Sequence, residues 1–295
     1  MTNNSRGIAL IQVLIITAVL MLLAIFIQQS IKQQIQVVSS INEKLSLRLV
    51  LENAEAEVFK ALLSSNRYQD TTSSNPVVRN WNFYGKPFSV DITTVKLQDV
   101  SGLINLNYIN RTFLERFLAL EIDEPKRTTQ LIDAILDWKD ADDLRRLNGA
   151  EKSDYKEGII PSNDYMQHVK ELDAILEHVN VRFKSERVYN ELTVERLAGF
   201  NPLNAPSRVL AAFLQDESRL TQVIAARNNG GLNRFRFFEL TGIEQDEYVT
   251  FGTSRYLRLE LRASKNGVVL TKQIELKVSP RTRDTPIIIS KIAWY

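Results

Sequence analysis

Residues 8–27 are apolar except for Gln12 and Thr17, and no charged side chain interrupts them. Twenty helical residues at about 1.5 Å each reach about 30 Å, the hydrocarbon thickness of a bilayer, so this run predicts a membrane span. The apolar pattern then thins but does not stop. Ile31, Ile35, Val38, Ile41, Leu45, Leu49, Leu51, Ala54, Val58 and Leu62 recur mostly three or four positions apart, the signature of an amphipathic helix. Neither Pro nor Gly occurs from residue 8 to residue 67, and turn chemistry first appears at Ser64-Ser65-Asn66. One helix of about 58 residues and about 87 Å is expected, a third of it in lipid and the rest carrying a stripe for packing.

The pattern changes period after residue 71. Thr71 to Pro76 is a loop by composition. Residues 80–84 and 87–92 read as short strands about Gly85-Lys86, a predicted hairpin, and residues 94–98 and 103–107 extend the β pattern. Near the far end residues 256–262 and 268–278 alternate, with Asn266-Gly267 between them as a type I′ turn signal. Together these strands predict one antiparallel sheet against the C-terminal half of the long helix. Between them, residues of about 110 to 245 read helical, at 112–120, 128–138, 166–178, 193–198, 207–214 and 220–227. Gly230-Gly231 reads as a loop after a helix. The fold class is α+β, with a helical block inserted between strands of one sheet.

Composition narrows the function. With 295 residues, 44% hydrophobic and 24% charged, the chain is long enough for two domains and is not a disordered polymer. A net charge of +2 from scattered Lys and Arg makes no electrostatic case for nucleic acid. Without cysteine there is no disulfide and no thiolate metal site, and two histidines, His168 and His178, are poor material for a zinc site or a Ser-His-Asp triad. Neither a nucleophile with its base nor a Gly-rich phosphate loop is apparent, so an enzyme is not expected.

The amino terminus admits three readings. A secretory signal would end in a small-residue cleavage site, and residues 25–30 offer none. A plain anchor needs no processing. The third notices Arg6-Gly7 directly before the apolar run, which resembles a prepilin leader cut between Gly7 and Ile8. Arg6 ahead of the span and the bulk of the chain behind it put the N-terminus in the cytoplasm.

The acidic cluster Asp137, Asp140, Asp142, Asp143 and Glu151 also admits two readings. Asp is favoured at helix ends and turns for local hydrogen bonds, so the cluster reads as a solvated helix end. It also offers the converging oxygens that calcium wants, although the EF-hand pattern is absent, and Arg145 and Arg146 stand by to offset part of the repulsion.

Four segments carry a resemblance. They are Arg6 to Leu10, Asp99 to Asn107, residues 134–143 with Gly149-Ala150-Glu151 and Tyr155, and Phe200 to Ala212. In these the chain resembles type II secretion system protein K, a minor pseudopilin; Leu203 and Asn204 depart from the second Asn and the Thr of that family's N-x-N-T-A-P turn. The resemblance implies a type IV pilin-like fold: a leader at 1–7, a membrane and spine helix at 8–66, a sheet domain from 67–109 and 246–295, and an all-helical domain at 110–245. It implies calcium in that inserted domain, with the acidic cluster as ligands. It further implies a place at the pseudopilus tip, helping to start assembly and to export folded proteins across the outer membrane. The implied partners are minor pseudopilins of the I and J types, the major pseudopilin, the prepilin peptidase and an exported substrate. The implied location is the bacterial inner membrane, single-pass, with the bulk in the periplasm.

Gln12 would be the fifth mature residue, where pilins usually carry Glu. A neutral side chain there suits a subunit with nothing above it, and protein K also lacks that Glu. The alternatives are a membrane-tethered DNA-binding protein of a DNA-uptake machine, toward which the turn and helix at 201–212 resemble a helix-hairpin-helix, and a membrane-anchored hydrolase. The weak basic patch and the membrane anchor favour a structural role for that segment.

Overall fold

The structure, a computed structural model, describes residues 5–295, with side chains from Leu10 onward. Residues 1–4 of the expected leader lie outside the described residues, as does the side chain of Ile8 at the expected cleavage point.

Helix α1 runs Ser5–Ser64 without a break. Its apolar part has a mean hydropathy of 3.0 and packs against nothing, and among the described residues this is one helix long and apolar enough to cross a membrane. Burial begins at Leu47 and continues through Leu51, Ala54, Val58, Ala61 and Leu62, one face at helical spacing. Past a loop come α2 (Pro76–Asn80), β1 (Phe88–Val90), β2 (Thr93–Asp99) and β3 (Ile104–Asn105). The central block follows with α3 (Arg111–Leu118), α4 (Pro125–Lys139), α5 (Leu172–Val179), β4 (Leu192–Thr193), α6 (Ser207–Leu214), α7 (Glu217–Asn228) and α8 (Arg234–Thr241). The chain ends with β5 (Tyr256–Lys265), β6 (Val268–Val278) and β7 (Ile287–Trp294).

Five strands form one sheet in the order β1-β2-β5-β6-β7, each antiparallel to its neighbour. The register aligns Leu97 with Leu259 and Leu259 with Ile274, so inward residues stack into a layer that α1 covers. Trp81, Phe83 and the two valines of α2 close this core. A second core, built on Phe113, Phe117, Leu131, Ile135, Trp138 and Phe237, belongs to the central block. Glu55 of α1 and Lys272 of β6 form an ion pair at the helix–sheet contact, under the ring of Trp294.

The spine and the sheet keep pace with each other. Asn266, in the β5–β6 turn, donates to Glu43 at 2.7 Å. At the other end of β5, Ser254 C=O accepts from Arg67 at 2.7 Å and the Thr253 hydroxyl donates to Arg67 C=O at 2.8 Å. Residues 43–64 of the helix and 256–265 of the strand both span about 30 Å, so one strand measures out the packed part of α1. The central block leaves from the end of β2 and returns at the start of β5. It therefore stands beyond the C-terminal end of α1, away from the apolar run.

Asp99 holds that junction. Its buried carboxylate accepts from Ser101 N–H (3.1 Å), Ser101 Oγ (2.6 Å), Asn204 Nδ2 (2.8 Å) and Ser254 N–H (3.1 Å). A Cβ on Gly102 would sit 2.2 Å from the Asn204 carbonyl oxygen, so only glycine lets the two segments touch. Asn204, the departure from the family turn, serves the contact directly, and Asn201 caps the turn by accepting from Leu203 N–H at 3.1 Å.

Several expected elements differ. The hairpin about Gly85-Lys86 does not form. Asn75 caps α2 with Pro76 as its first residue, and Trp81 is drawn into the core with its Nε1 donating to Tyr68 C=O at 2.8 Å. The chain turns instead at Asp91, with φ +48°, between β1 and β2. The stretch 103–107 does not extend the sheet. The tight turn that Asp99 caps ends β2, and β3 pairs in parallel with β4 as a separate two-stranded sheet. The helix expected at 193–198 is absent, because Asn107 and Asn105 side chains take the carbonyls of Val194 and Glu195 that a helix would use. Only the end of the expected 166–178 helix is α-helical, as α5. The Asn266-Gly267 turn has φ of +49° and +81°, the type I′ geometry its sequence predicts.

Candidate functional site: the acidic loop after helix α4

Helix α4 buries Leu131, Ile132, Ala134, Ile135 and Trp138, and the same rotation carries Asp137 inward, where it is 0% exposed. A carboxylate so placed needs partners. Arg146 supplies them: its guanidinium contacts Asp137 Oδ1 and Asp140 Oδ2, and its backbone N–H donates to Asp137 Oδ2 at 3.1 Å. The loop can double back this tightly because residue 149 is glycine; a Cβ there would lie 1.8 Å from Asp137 Oδ2. Two carboxylates hold the Arg146 guanidinium firmly protonated.

The other acidic residues divide. Asp142 is exposed and accepts from Leu144 N–H at 2.8 Å, a local turn contact. Asp143 is exposed and lies near the Asn163 amide. Glu151 is buried at 6% exposure, and neither of its carboxylate oxygens has a hydrogen-bond partner. Burial, with Asp137, Asp140, Asp143 and Asp142 close enough to repel, pushes its carboxyl above the usual range. Asp140 Oδ1 and the Tyr155 hydroxyl are likewise buried without partners. Arg145, the second expected counter-charge, goes instead to Asp154 at 3.1 Å, and Asp154 also accepts from Glu151 N–H at 2.9 Å.

Around this pocket the walls are fixed. Trp138 donates to Glu171 at 2.9 Å and meets Tyr155 edge-on at 5.2 Å. Lys139 donates to the carbonyls of Leu106 (3.0 Å) and Asn107 (2.7 Å). Burial, and the neighbouring Arg146 charge, pull its ammonium down to about 8. Asp133, which sequence reasoning passed over, is buried and paired with Arg111 at 2.8 Å and with the Asn148 amide at 3.2 Å. Its inward place follows from the spacing Asp133–Asp137 on one helix face, a signal present in the sequence.

Among the described residues, no three carboxylate or imidazole side chains stand close enough, as arranged, to hold an ion. The donor set nevertheless suits a hard cation: Asp137 and Asp140 already share one positive partner, and three buried carboxylate oxygens have none. The histidines serve locally, His168 Nδ1 accepting from Lys170 N–H at 3.0 Å and His178 lying against Tyr155. Gln12 lies in the exposed apolar stretch of α1.

Known proteins match this layout. Residues 100–183, which hold the whole acidic loop, match the family model of type II secretion system (T2SS) protein K. Type II secretion system protein K of Klebsiella pneumoniae is 29% identical over 190 residues, which are 58% of either chain. A putative type II secretion system protein K of Escherichia coli K12 is 25% identical over 206 residues, 62% of either chain. The matches thus span about three-fifths of these relatives. In fold, the chain is similar to a chain in the crystal structure of the GspK-GspI-GspJ complex from the enterotoxigenic Escherichia coli type 2 secretion system, with a TM-score of 0.52 at 13% identity over 90% of this chain and 98% of that one. Residues 100–183 are thus similar to the protein K family model, the sequence relatives carry the same name, and the α+β fold is shared with a chain of the GspK-GspI-GspJ complex.

Proposed function

We propose that this chain is a minor pseudopilin that sits at the tip of the pseudopilus of a type II secretion system, where it helps to start assembly and so the export of folded proteins across the outer membrane. The observation that carries the reading is the position of the protein K domain. It stands past the far end of α1, joined through Arg67, Thr253 and Ser254, about 60 Å along the helix from the last residue of the apolar run. A helical block at that end of the spine suits a subunit with nothing stacked above it.

The role is mechanical and uses no catalysis. A prepilin peptidase cuts between Gly7 and Ile8, leaving the N-terminus on the cytoplasmic side and the bulk of the chain in the periplasm of a bacterial inner membrane. The apolar part of α1 then leaves lipid by packing against the helices of partners of the I and J types and of the major pseudopilin. Gln12, being neutral, needs no partner charge within that apolar core, which suits a first or last subunit. Asp137, Asp140, Asp142, Asp143 and Glu151 would hold calcium in the acidic loop, and the ion would supply charge that binds the loop to the end of α4. An exported substrate meets the central block.

The test is a strain lacking this chain. Its exported proteins should accumulate in the periplasm, pseudopilus nucleation should fail, and the full chain should restore both. Normal export in its absence would overturn the proposal.

A further inference from the structure

We infer that Arg146 is a built-in competitor for calcium, so that the ion binds the acidic loop only by displacing a guanidinium that holds the same two carboxylates. The inference rests on the calcium reading above. Through its guanidinium and its backbone N–H, Arg146 engages three of the four oxygens of Asp137 and Asp140. The fourth, Asp140 Oδ1, is buried and unpartnered, as are both oxygens of Glu151. As placed, the guanidinium reaches both carboxylates through Nη1 alone and delivers no donor to those three oxygens. Calcium carries twice the charge and gathers six to eight oxygens from all sides, so it can collect the orphans as well.

The two cations cannot share. Asp137 is fully buried, and Gly149 packs so closely on its Oδ2 that the carboxylate has no second position from which to serve an ion while keeping its arginine. Arg146 can leave: its side chain is 38% exposed and its loop, between the end of α4 and Glu151, has no regular structure. Arg145 remains on Asp154, so the loop stays tethered when its neighbour swings out. The arginine stabilises the loop when calcium is scarce and sets the concentration at which the ion takes over, since each occupant lowers the apparent affinity of the other.

The experiment titrates calcium into the full-length chain in detergent micelles by calorimetry, for wild type, Arg146→Gln and Arg146→Lys. Arg146→Gln is expected to bind calcium at least about tenfold tighter, the effect of removing a charge-assisted contact that the ion must break. Arg146→Lys, which keeps the charge but not the fork, should fall between. Melting without calcium gives a second readout: Arg146→Gln should melt lower than wild type, and saturating calcium should close the gap. If Arg146→Gln folds and binds calcium with wild-type or weaker affinity, Arg146 is not a competitor. If it folds only with calcium, Arg146→Lys decides, and wild-type or weaker affinity there overturns the inference. If no form binds calcium, the calcium reading itself fails and takes the inference with it; if wild type binds and only the ordering is wrong, the calcium reading stands alone.

Discussion

Asp99 is where the two halves of the molecule are most exposed to a single substitution. Its carboxylate is 0% exposed and accepts four hydrogen bonds, two from Ser101, one from the Asn204 amide and one from Ser254 N–H. Hydrogen bonds to a charged group are each worth about 1.5–3 kcal/mol, and a buried donor left without a partner costs about 1–3 kcal/mol. The four share one acceptor group and do not add. Asp99→Ala would leave Ser101 N–H, Ser254 N–H and one hydrogen of the Asn204 amide, whose other partner is Thr253 Oγ1, unpaired, a loss of about 4–6 kcal/mol. Asp99→Asn can turn its one oxygen toward the three donors on Oδ2, and should cost about 2–3 kcal/mol. At about 2–4 °C per kcal/mol for a domain of this size, the melting point should fall by about 10–20 °C for Ala and about 5–10 °C for Asn. Thermal unfolding of the full-length chain in detergent, followed by circular dichroism, reads both shifts. An Ala variant that melts within about 2 °C of wild type, less than 1 kcal/mol on the same scale, would show that the junction does not depend on this carboxylate.

Four further outcomes follow from the same structure. Mass spectrometry of the native protein should find Ile8 as its first residue, and replacing Gly7 with a bulky residue should leave the full-length form in the membrane; a native protein that retains Met1 refutes the leader. Calcium at about 100 times its dissociation constant should add about 2.7 kcal/mol, hence about 5–10 °C of melting point, reversed by a chelator and reduced in Asp140→Asn and Asp142→Asn; a chelator without effect refutes the site. Val38, Ile41, Leu45 and Leu49 are each more than half exposed on α1 beyond the span, so partners of the I and J types should bind there, and Leu45→Asp with Leu49→Asp should abolish the complex seen by light scattering at tens of micromolar; an unchanged complex would remove this face from the interface. Gln12→Glu should change secretion only slightly, and long homopolymers formed by the wild-type chain alone would overturn the tip position.

The long helix, the order of strands around a helical block and the β5–β6 turn were legible because each rests on local chemistry: a run without charge, an alternation, an Asn-Gly pair. Misreadings came where a distant partner overrode the local pattern. The stretch 80–84 alternates like a strand, but Trp81 finds a core made by α1 and the sheet, and neither is visible from its neighbours in sequence. The stretch 193–198 lacks Gly and Pro and looks helical, but side chains from Asn105 and Asn107 hold its carbonyls from almost 90 residues away. Strand β7 and helix α8 were not anticipated. Isoleucines fall on both faces of β7, which hides the alternation, and α8 carries its phenylalanines at 235, 237 and 238, not all on one helix face. Within the acidic loop the composition marks five carboxylates as a cluster, but their division is set by burial. Asp142 and Asp143 face solvent, Asp137 and Glu151 do not, and only packing of α4 decides which is which.

That a large helical domain can interrupt a sheet without spoiling it follows from where the interruption falls. Strands β2 and β5 are adjacent and antiparallel, with Asp99 opposite Leu257 at the end of their ladder. To the sheet, everything between them is a hairpin loop. Closing a flexible loop on the order of 150 residues instead of two costs only about 4 kcal/mol more, because the penalty grows with the logarithm of length. The block has its own core to offset its internal ordering, so the sheet has only the closure to bear. Asp99 meets that need at the one place where it arises, reaching from the last residue of β2 to Ser254, just ahead of β5, and to Asn204 inside the block. The same carboxylate therefore closes the loop and sets the block upright on the end of the spine. Weakening it should loosen the block relative to α1 before it unfolds either core. In an Asp99→Asn chain, hydrogen exchange should rise first at Ser101, Asn204 and Ser254, while the amides of Leu97 and Leu259 stay protected.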